Sequence, residues 1–295
     1  MRRDWASVAT AIGAATGRRF AVEVEQTVGG GCINRAFRIA GGGQTYFVKS
    51  NDPGAEAMFA AEAEALAAVQ DTGAIRVPAP ICHGRTDDFS YLVLEYLELV
   101  RGRDDSAEQL GRNLARLHRH TGPHYGWRRD NTIGSTPQLH APHEDWLAFW
   151  REQRLGHQLH LAAEQGFGQR LQRKGEKVMS ALPRLLAGHR PVPSLLHGDL
   201  WSGNYAALRD GTPVIFDPAS YYGDREADLA MTELFGGFPE RFYAAYRDHY
   251  PVNDGYPIRR TLYNLYQVLN HANLFGGGYA AQAEDMMDAL LSEIA

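Results

Sequence analysis

The order of apolar and polar residues divides the chain into two unlike stretches. Residues 1–19 read as a short helix that stops near Gly17. Residues 20–28 alternate valines with Glu23 and Glu25, the period-2 pattern of a half-buried strand. Residues 35–39 make a second short strand. Gly41-Gly42-Gly43 reads as a hairpin turn, and residues 46–49 form a third strand that ends on Lys49.

Residues 55–70 are rich in Ala and Glu and favour helix. Here Phe59, Glu62, Leu66 and Val69 share one face, so Glu62 points where the apolar residues point. A carboxylate on such a stripe needs a partner, unless it sits at the rim and reaches water. Glu64 falls among alanines on another face. Pro78 and Pro80 break the chain before Ile81, and residues 91–94 are a dense apolar strand. The polar stretch 101–105 is the best boundary. Ahead of it lie strands and one long helix. Beyond it the pattern is mostly helical, over 106–119, 145–161, 168–187, 226–235, 239–249, 257–275 and 279–294. Leu195-Leu196 and Val214-Ile215-Phe216 are short runs of strand type. The expectation is an α+β protein with a β-rich unit over residues 1–97 and a helical unit over 98–295.

A length of 295 residues suits one large domain or two modest ones, and 44% hydrophobic with 22% charged residues is ordinary globular composition. Lys and Arg number 30 against 35 Asp and Glu, a net charge of −5. No basic excess is left to neutralise phosphates, which argues against a general nucleic-acid or anionic-membrane binder. Two cysteines, Cys32 and Cys82, make no disulfide framework and suit a reducing, cytoplasmic compartment. The start, Met1-Arg2-Arg3-Asp4-Trp5, is not followed by a signal-peptide core, and no apolar run approaches membrane-spanning length.

The sharpest chemistry lies in His197-Gly198-Asp199-Leu200-Trp201-Ser202-Gly203-Asn204 and, after an apolar strand, Asp217. Phosphoryl transfer uses these types in this order. An Asp on a short loop takes or orients the proton of the attacking hydroxyl. An Asn five residues on offers an amide oxygen to a metal. An Asp after the next strand binds Mg2+ on the nucleotide phosphates, a hard-oxygen arrangement. Upstream, Lys49 at the end of a strand fits the phosphate lysine and Glu62 its partner. Gly29, Gly30, Gly31 and Asn34 stand between two strands, where backbone N–H groups could approach phosphate; a plain hairpin turn would serve as well.

These residues resemble the fructosamine kinase (ketosamine 3-kinase) family, a branch of the protein-kinase-like fold close to aminoglycoside and choline phosphotransferases. Further carriers are Phe47-Val48-Lys49, Met58-Phe59, Tyr125-Gly126, Asp130-Asn131, Gly134, Pro137-Gln138, Asp145-Trp146 and Phe216 through Gly223. The resemblance implies two lobes with ATP between them, Asp199 as catalytic base, Asn204 and Asp217 on Mg2+, and Lys49 with Glu62 on the phosphates. It implies a hinge at Glu95, Tyr96 and Leu97 that holds adenine through its backbone, and a buried Asp228 that steadies the catalytic loop. It places Asp130, Asn131 and Gln138 near the acceptor. The acceptor would be a sugar-amine, such as a fructosamine or ribulosamine adduct or a glycated lysine, phosphorylated on its 3-hydroxyl, with a lean towards ribulosamines. His140 departs from the family, which commonly has Asn there, and this bears on acceptor choice.

Trp201, beside the catalytic loop, reads as acceptor wall or core, whereas Tyr263 and Tyr266 read as core. Arg225 and Glu226 read as packing and ion-pair residues. His118, His120 and His124 cluster at a helix end, where cationic groups have their own reason to be, and do not read as a zinc site. Cys32, among N–H donors, could favour thiolate and act as a redox switch, which would make the protein a monomer or a redox-linked dimer. The rival readings are a kinase of an aminoglycoside or choline-like hydroxyl and a nucleotide-binding scaffold without catalysis. The second conflicts with the presence of Lys49, Asp199, Asn204 and Asp217 together.

Overall fold

The structure, a computed structural model, describes residues 4–29 and 33–294. Helix α1 (Trp5–Thr16) opens on Asp4, whose carboxylate accepts from Ser7 N, and ends at Gly17. Strands β1 (Val24–Val28), β2 (Arg35–Gly41) and β3 (Gln44–Asn51) follow, then helix α2 (Glu56–Asp71) and strands β4 (Pro80–Arg85) and β5 (Ser90–Glu95). The five strands form one antiparallel sheet in the order β1-β2-β3-β5-β4.

Alternation on β3 decides what each sheet face does. Tyr46 and Val48 face α1 and join Val8, Ile12 and Phe37 in a small core. Phe47 packs on the opposite core, which includes Phe59, Leu66 and Val69 of α2. Lys49 shares that side with Phe47, so the strand delivers a lysine to the helix that carries Glu62. The second core continues without a break from α2 into the helical part of the chain. On the flank of α2, Glu64 pairs with Arg129 at 3.0 Å and with Arg128 at 3.6 Å.

Two expectations for this half need correction. Strand β1 begins at Val24, not at residue 20. A Cβ on Gly41 would lie 1.9 Å from Ala21 O, so the incoming chain crosses the end of β2 closely before Glu23 N reaches Ala40 O at 2.9 Å. Strand β4 was not expected. It is an edge strand with a register shift between Pro80 and Cys82, and Pro and Gly within it conceal its pattern.

The second half holds helix α3 (Asp104–Leu117), the hairpin β6 (Asn131–Ile133) and β7 (Thr136–Gln138), and a helical run expected as one element. That run is α4 (Trp146–Phe149), a π-helical turn (Trp150–Gly156) and α5 (His157–Glu164). Helix α6 (Gln169–Leu185), strands β8 (Ser194–Leu195), β9 (Tyr205–Ala207), β10 (Pro213–Ile215) and β11 (Tyr222–Gly223), and helices α7 (Glu226–Leu234), α8 (Glu240–His249), α9 (Tyr256–Phe275) and α10 (Tyr279–Ser292) complete it. Tyr263 and Tyr266 of α9 are buried as expected. Glu226 forms a buried ion pair with Arg259 at 2.6 Å, and Arg225 stacks on Tyr250 at 3.7 Å. Among the described residues no helix is long and apolar enough to cross a membrane.

Candidate active site

The loop between β8 and β9 carries His197, Asp199 and Asn204. Its start is fixed by Asp228 of α7, whose two carboxylate oxygens accept from His197 N (2.7 Å) and Gly198 N (2.8 Å). Burial would raise the Asp228 pKa. The hydrogen bond from His118, the charges of His118 and His197 and the Gly198 N–H outweigh it and hold the carboxyl below its usual range. His118 is fully buried, 3.2 Å from Asp228 and 2.8 Å from the Tyr246 hydroxyl. Burial holds it below the usual imidazole value. It backs Asp228, which fixes the start of the His197–Asn204 loop.

Gly198 has φ +85°, and a Cβ there would lie 2.1 Å from Ala219 O. Gly198→Ala should therefore cost about 1–3 kcal/mol of stability in urea denaturation and lower turnover in the folded fraction. An alanine variant with wild-type stability would contradict this close packing.

Asp199 is half-buried. Asn204 donates its amide to Asp199 Oδ2 (3.1 Å) and Asp199 O (2.8 Å). Burial first, and the nearby Asp217 second, push the Asp199 carboxyl well above its usual pKa against the Asn204 hydrogen bond. Asn204 is buried with its amide nitrogen engaged, which leaves its carbonyl oxygen as the atom that could serve a cation. Asp217 follows β10 with φ +58°, the one non-glycine residue with positive φ among the described residues. Such strain is kept where the surroundings over-determine it.

Lys49 joins the two halves. Its Nζ lies 2.5 Å from Glu62 Oε1 and 2.6 Å from Asp217 Oδ1, and the lysine is only 7% exposed. Burial works against its charge, but Glu62 and Asp217 outweigh burial and hold the pKa above the usual lysine value. Burial also pushes the Glu62 carboxyl up, with Lys49 opposing. The expected partner of Glu62 is in place.

Other predicted residues lie away from this bridge. Glu95 pairs through its side chain with Arg76 (2.5 Å), while its N–H is engaged by Ala79 O (2.9 Å). Tyr96 and Leu97 follow the end of β5. Asn34 Oδ1 accepts from Asn51 (2.8 Å), which ties the loop to the end of β3. Gly29 has open space around its Cα. Gly30, Gly31 and Cys32 lie outside the described residues.

Asn131 and Gln138 are buried against Ala219 and Ser220 rather than on an open surface. Asn131 donates to Ser220 O (3.0 Å), and Gln138 donates to Asn131 Oδ1 (2.8 Å) and Ala219 O (3.2 Å). The Tyr266 hydroxyl donates to Gln138 Oε1 (2.8 Å). Asp130 accepts from His140 N (2.8 Å), and His140 is buried too. Any effect of His140 on the acceptor must pass through this network.

Trp201 is 37% exposed, lies over Gly203 and meets Phe235 edge-on at 6.2 Å. Phe235 meets His271 at 4.8 Å. One turn before His271, Gln267 lies near Gly198 O at 3.5 Å, with its buried Oε1 unpartnered. Gln267 and His271 were not singled out from the sequence. The i, i+4 spacing of Gln267 and His271 on one helix was the available signal.

The arrangement has a phosphoryl-transfer layout. A carboxylate of raised pKa stands beside an amide and a second carboxylate, with a lysine held by a glutamate behind them. Comparisons with known proteins agree. The family model described as fructosamine kinase matches residues 4–293. A Synechocystis protein named probable ketoamine kinase is 49% identical over 293 residues, covering 97% of both chains. The Arabidopsis thaliana protein-ribulosamine 3-kinase, chloroplastic, is 44% identical over 268 residues, covering 90% of this chain and 82% of its own. A Haemophilus somnus crystal structure assigned as a fructosamine-3-kinase superposes with a TM-score of 0.90 at 31% identity, covering 97% of both chains. Choline kinase from Streptococcus pneumoniae shares the fold alone, with a TM-score of 0.67 at 17% identity, covering 98% of this chain and 99% of its own. The fold is thus α+β, two-lobed and protein-kinase-like.

Proposed function

The chain belongs to the fructosamine kinase family, and from its place among these ketosamine phosphotransferases we propose that it moves the γ-phosphoryl group of ATP to the 3-hydroxyl of a ketosamine. The role is repair of glycated amines, with residues 1–97 as the nucleotide lobe and 98–295 as the lobe of the catalytic loop. The observation that carries this reading is the Lys49 bridge. It joins Glu62 of α2 to Asp217 from the far half of the chain.

In this reading Asp199 takes the proton of the 3-hydroxyl as that oxygen bonds to the γ-phosphorus. The bond from phosphorus to the bridging oxygen breaks, and ADP leaves. A carboxylate of raised pKa is a better proton acceptor than an ordinary one. The donor set fits a hard dication: an amide oxygen on Asn204 and a carboxylate on the exposed Asp217, next to an Asp199 whose pKa that same charge raises. Mg2+ held by Asn204 and Asp217 would offset the negative charge on the phosphate oxygens. Lys49 holds phosphate from the opposite side, and Glu62 keeps it aimed. The backbone of Glu95, Tyr96 and Leu97, past the Glu95 N–H that Ala79 O engages, supplies the adenine hinge.

Trp201, with Phe235 and His271 beside it, forms the wall of the acceptor site. Trp201→Ala should raise the acceptor KM about tenfold, the scale of one aromatic contact, and leave the ATP KM within about twofold. An unchanged acceptor KM would remove Trp201 from the site. The function itself is tested by ATP consumption with ribulose-lysine, fructose-lysine and kanamycin, followed by NMR location of the phosphate ester. Turnover of a ketosamine with phosphate on O3 is expected. Turnover of kanamycin alone, or of nothing, would overturn the reading.

A further inference from the structure

Arg154 lies in the π-helical turn and is fully buried. Its hydrogen bonds run to Leu139 O (2.7 Å), Gln153 O (3.0 Å) and His140 Nδ1 (3.3 Å), not to a carboxylate. Its Nε is unpartnered, and its guanidinium stacks on Tyr221 at 4.1 Å and Phe149 at 4.5 Å. A buried cation without a counter-ion is costly, and aromatic faces offset only part of that cost. Its place calls for a role.

From Arg154 through His140 to Asn131 the hydrogen bonds run one way. A guanidinium has donors and no acceptor, so His140 Nδ1 must accept from it and carry no proton. The ring proton then sits on Nε2, 2.8 Å from Asn131 Oδ1, and the Gln138 amide nitrogen, 3.3 Å from the same Nε2, donates to Asn131 Oδ1 and Ala219 O instead. With its oxygen accepting, Asn131 turns its amide to Ser220 O at 3.0 Å. Ser220 and Ala219 follow Asp217 closely, and Ala219 N donates to His197 O at 2.9 Å. The series therefore ends where the strained Asp217 segment meets the catalytic loop.

We propose that Arg154 is a positioning residue for phosphoryl transfer: it fixes His140 in the Nε2–H tautomer and so starts a one-way series through Asn131 that holds residues 217–220 against the catalytic loop. This deepens the function given above and rests on its roles for Asp199 and Asp217. Each bond polarises the next, and a full charge at the head strengthens the series. The charged and titratable groups facing His140 are Arg154 from the π turn, Tyr221 at 5.6 Å between rings, and Asp130 at its backbone N–H. Burial first and Arg154 second hold the imidazole well below its usual pKa, so it stays neutral.

Histidine-15N NMR of the whole chain, without ATP or acceptor, reads the tautomer directly. Wild-type His140 should be neutral with its proton on Nε2 from about pH 6 to 8. Arg154→Met, checked for folding by circular dichroism, should show mixed tautomers. Its kcat should fall about tenfold or more, with the ATP KM within about threefold, and its acid limb should begin at higher pH. Arg154→Lys, which keeps the charge and a donor, should recover part of the kcat. A wild-type His140 protonated on Nδ1 would overturn the proposal even if Arg154→Met does not fold. So would a folded Arg154→Met with wild-type kcat. The spectrum needs no activity, so failure to phosphorylate any ketosamine would sink the function and leave the tautomer result standing.

Discussion

Asp199→Asn is expected to lower kcat about a thousandfold or more while MgATP affinity stays within about threefold. The substitution keeps the shape of the side chain and its contact with Asn204 but removes the proton acceptor. The same change should stabilise the metal-free protein at neutral pH. Burial and Asp217 raise the folded-state pKa of Asp199 above its unfolded value. A carboxyl shifted that way favours the fold when protonated, and that contribution is lost as pH rises through the folded value. At pH above the raised value the wild type carries a disfavoured charge and the Asn variant does not. Melting curves with a chelator present should show a higher Tm for the variant at neutral pH. The gain should fade as pH falls towards the ordinary Asp range. An Asn variant with full turnover would remove Asp199 from the chemistry, and a lower Tm at neutral pH would contradict the electrostatic account.

Lys49→Met is expected to lower kcat/KM for ATP by about a thousandfold and to destabilise the protein by about 3–5 kcal/mol. Lys49 is the positive charge between Glu62 and Asp217, at 2.5 and 2.6 Å. Removing it leaves the nearly buried Glu62 facing a second carboxylate. Adding Glu62→Gln to the methionine variant should restore much of the stability and none of the activity. Urea denaturation and steady-state kinetics on the three proteins separate the two effects. If Lys49→Met alone kept wild-type stability, the bridge would not be what holds α2 against β3.

Much of this site was legible because its chemistry demands fixed residue types at fixed separations. The run His197 to Asn204 and the later Asp217 stand out in the sequence, and the structure brings Asp199, Asn204 and Asp217 together. The phase of Glu62 among Phe59, Leu66 and Val69 pointed it at a partner before any partner was visible. What stayed hidden was polar residues in the interior. Asn131, Gln138 and Arg154 belong to types usually found at the surface, and only contacts across the fold show that each is buried. His118 was within reach, since it follows Leu114 by four positions on the apolar face of α3. Strand β4 was hidden for another reason. Its pairing is set by β5 and by a register shift, not by its own alternation.

Helix α2 is held from several directions at once. Phe59, Leu66 and Val69 are buried in a core shared with the helical part of the chain, and Glu64 is paired with Arg128 and Arg129 on its flank. Swinging the helix outward would bare three large side chains and break both ion pairs. Kinases that are switched off by displacing the equivalent helix need it loosely seated. This one is bolted down, with the lysine already engaged by its glutamate. The ion pair that such a displacement would break, Lys49 with Glu62 at 2.5 Å, is already formed here.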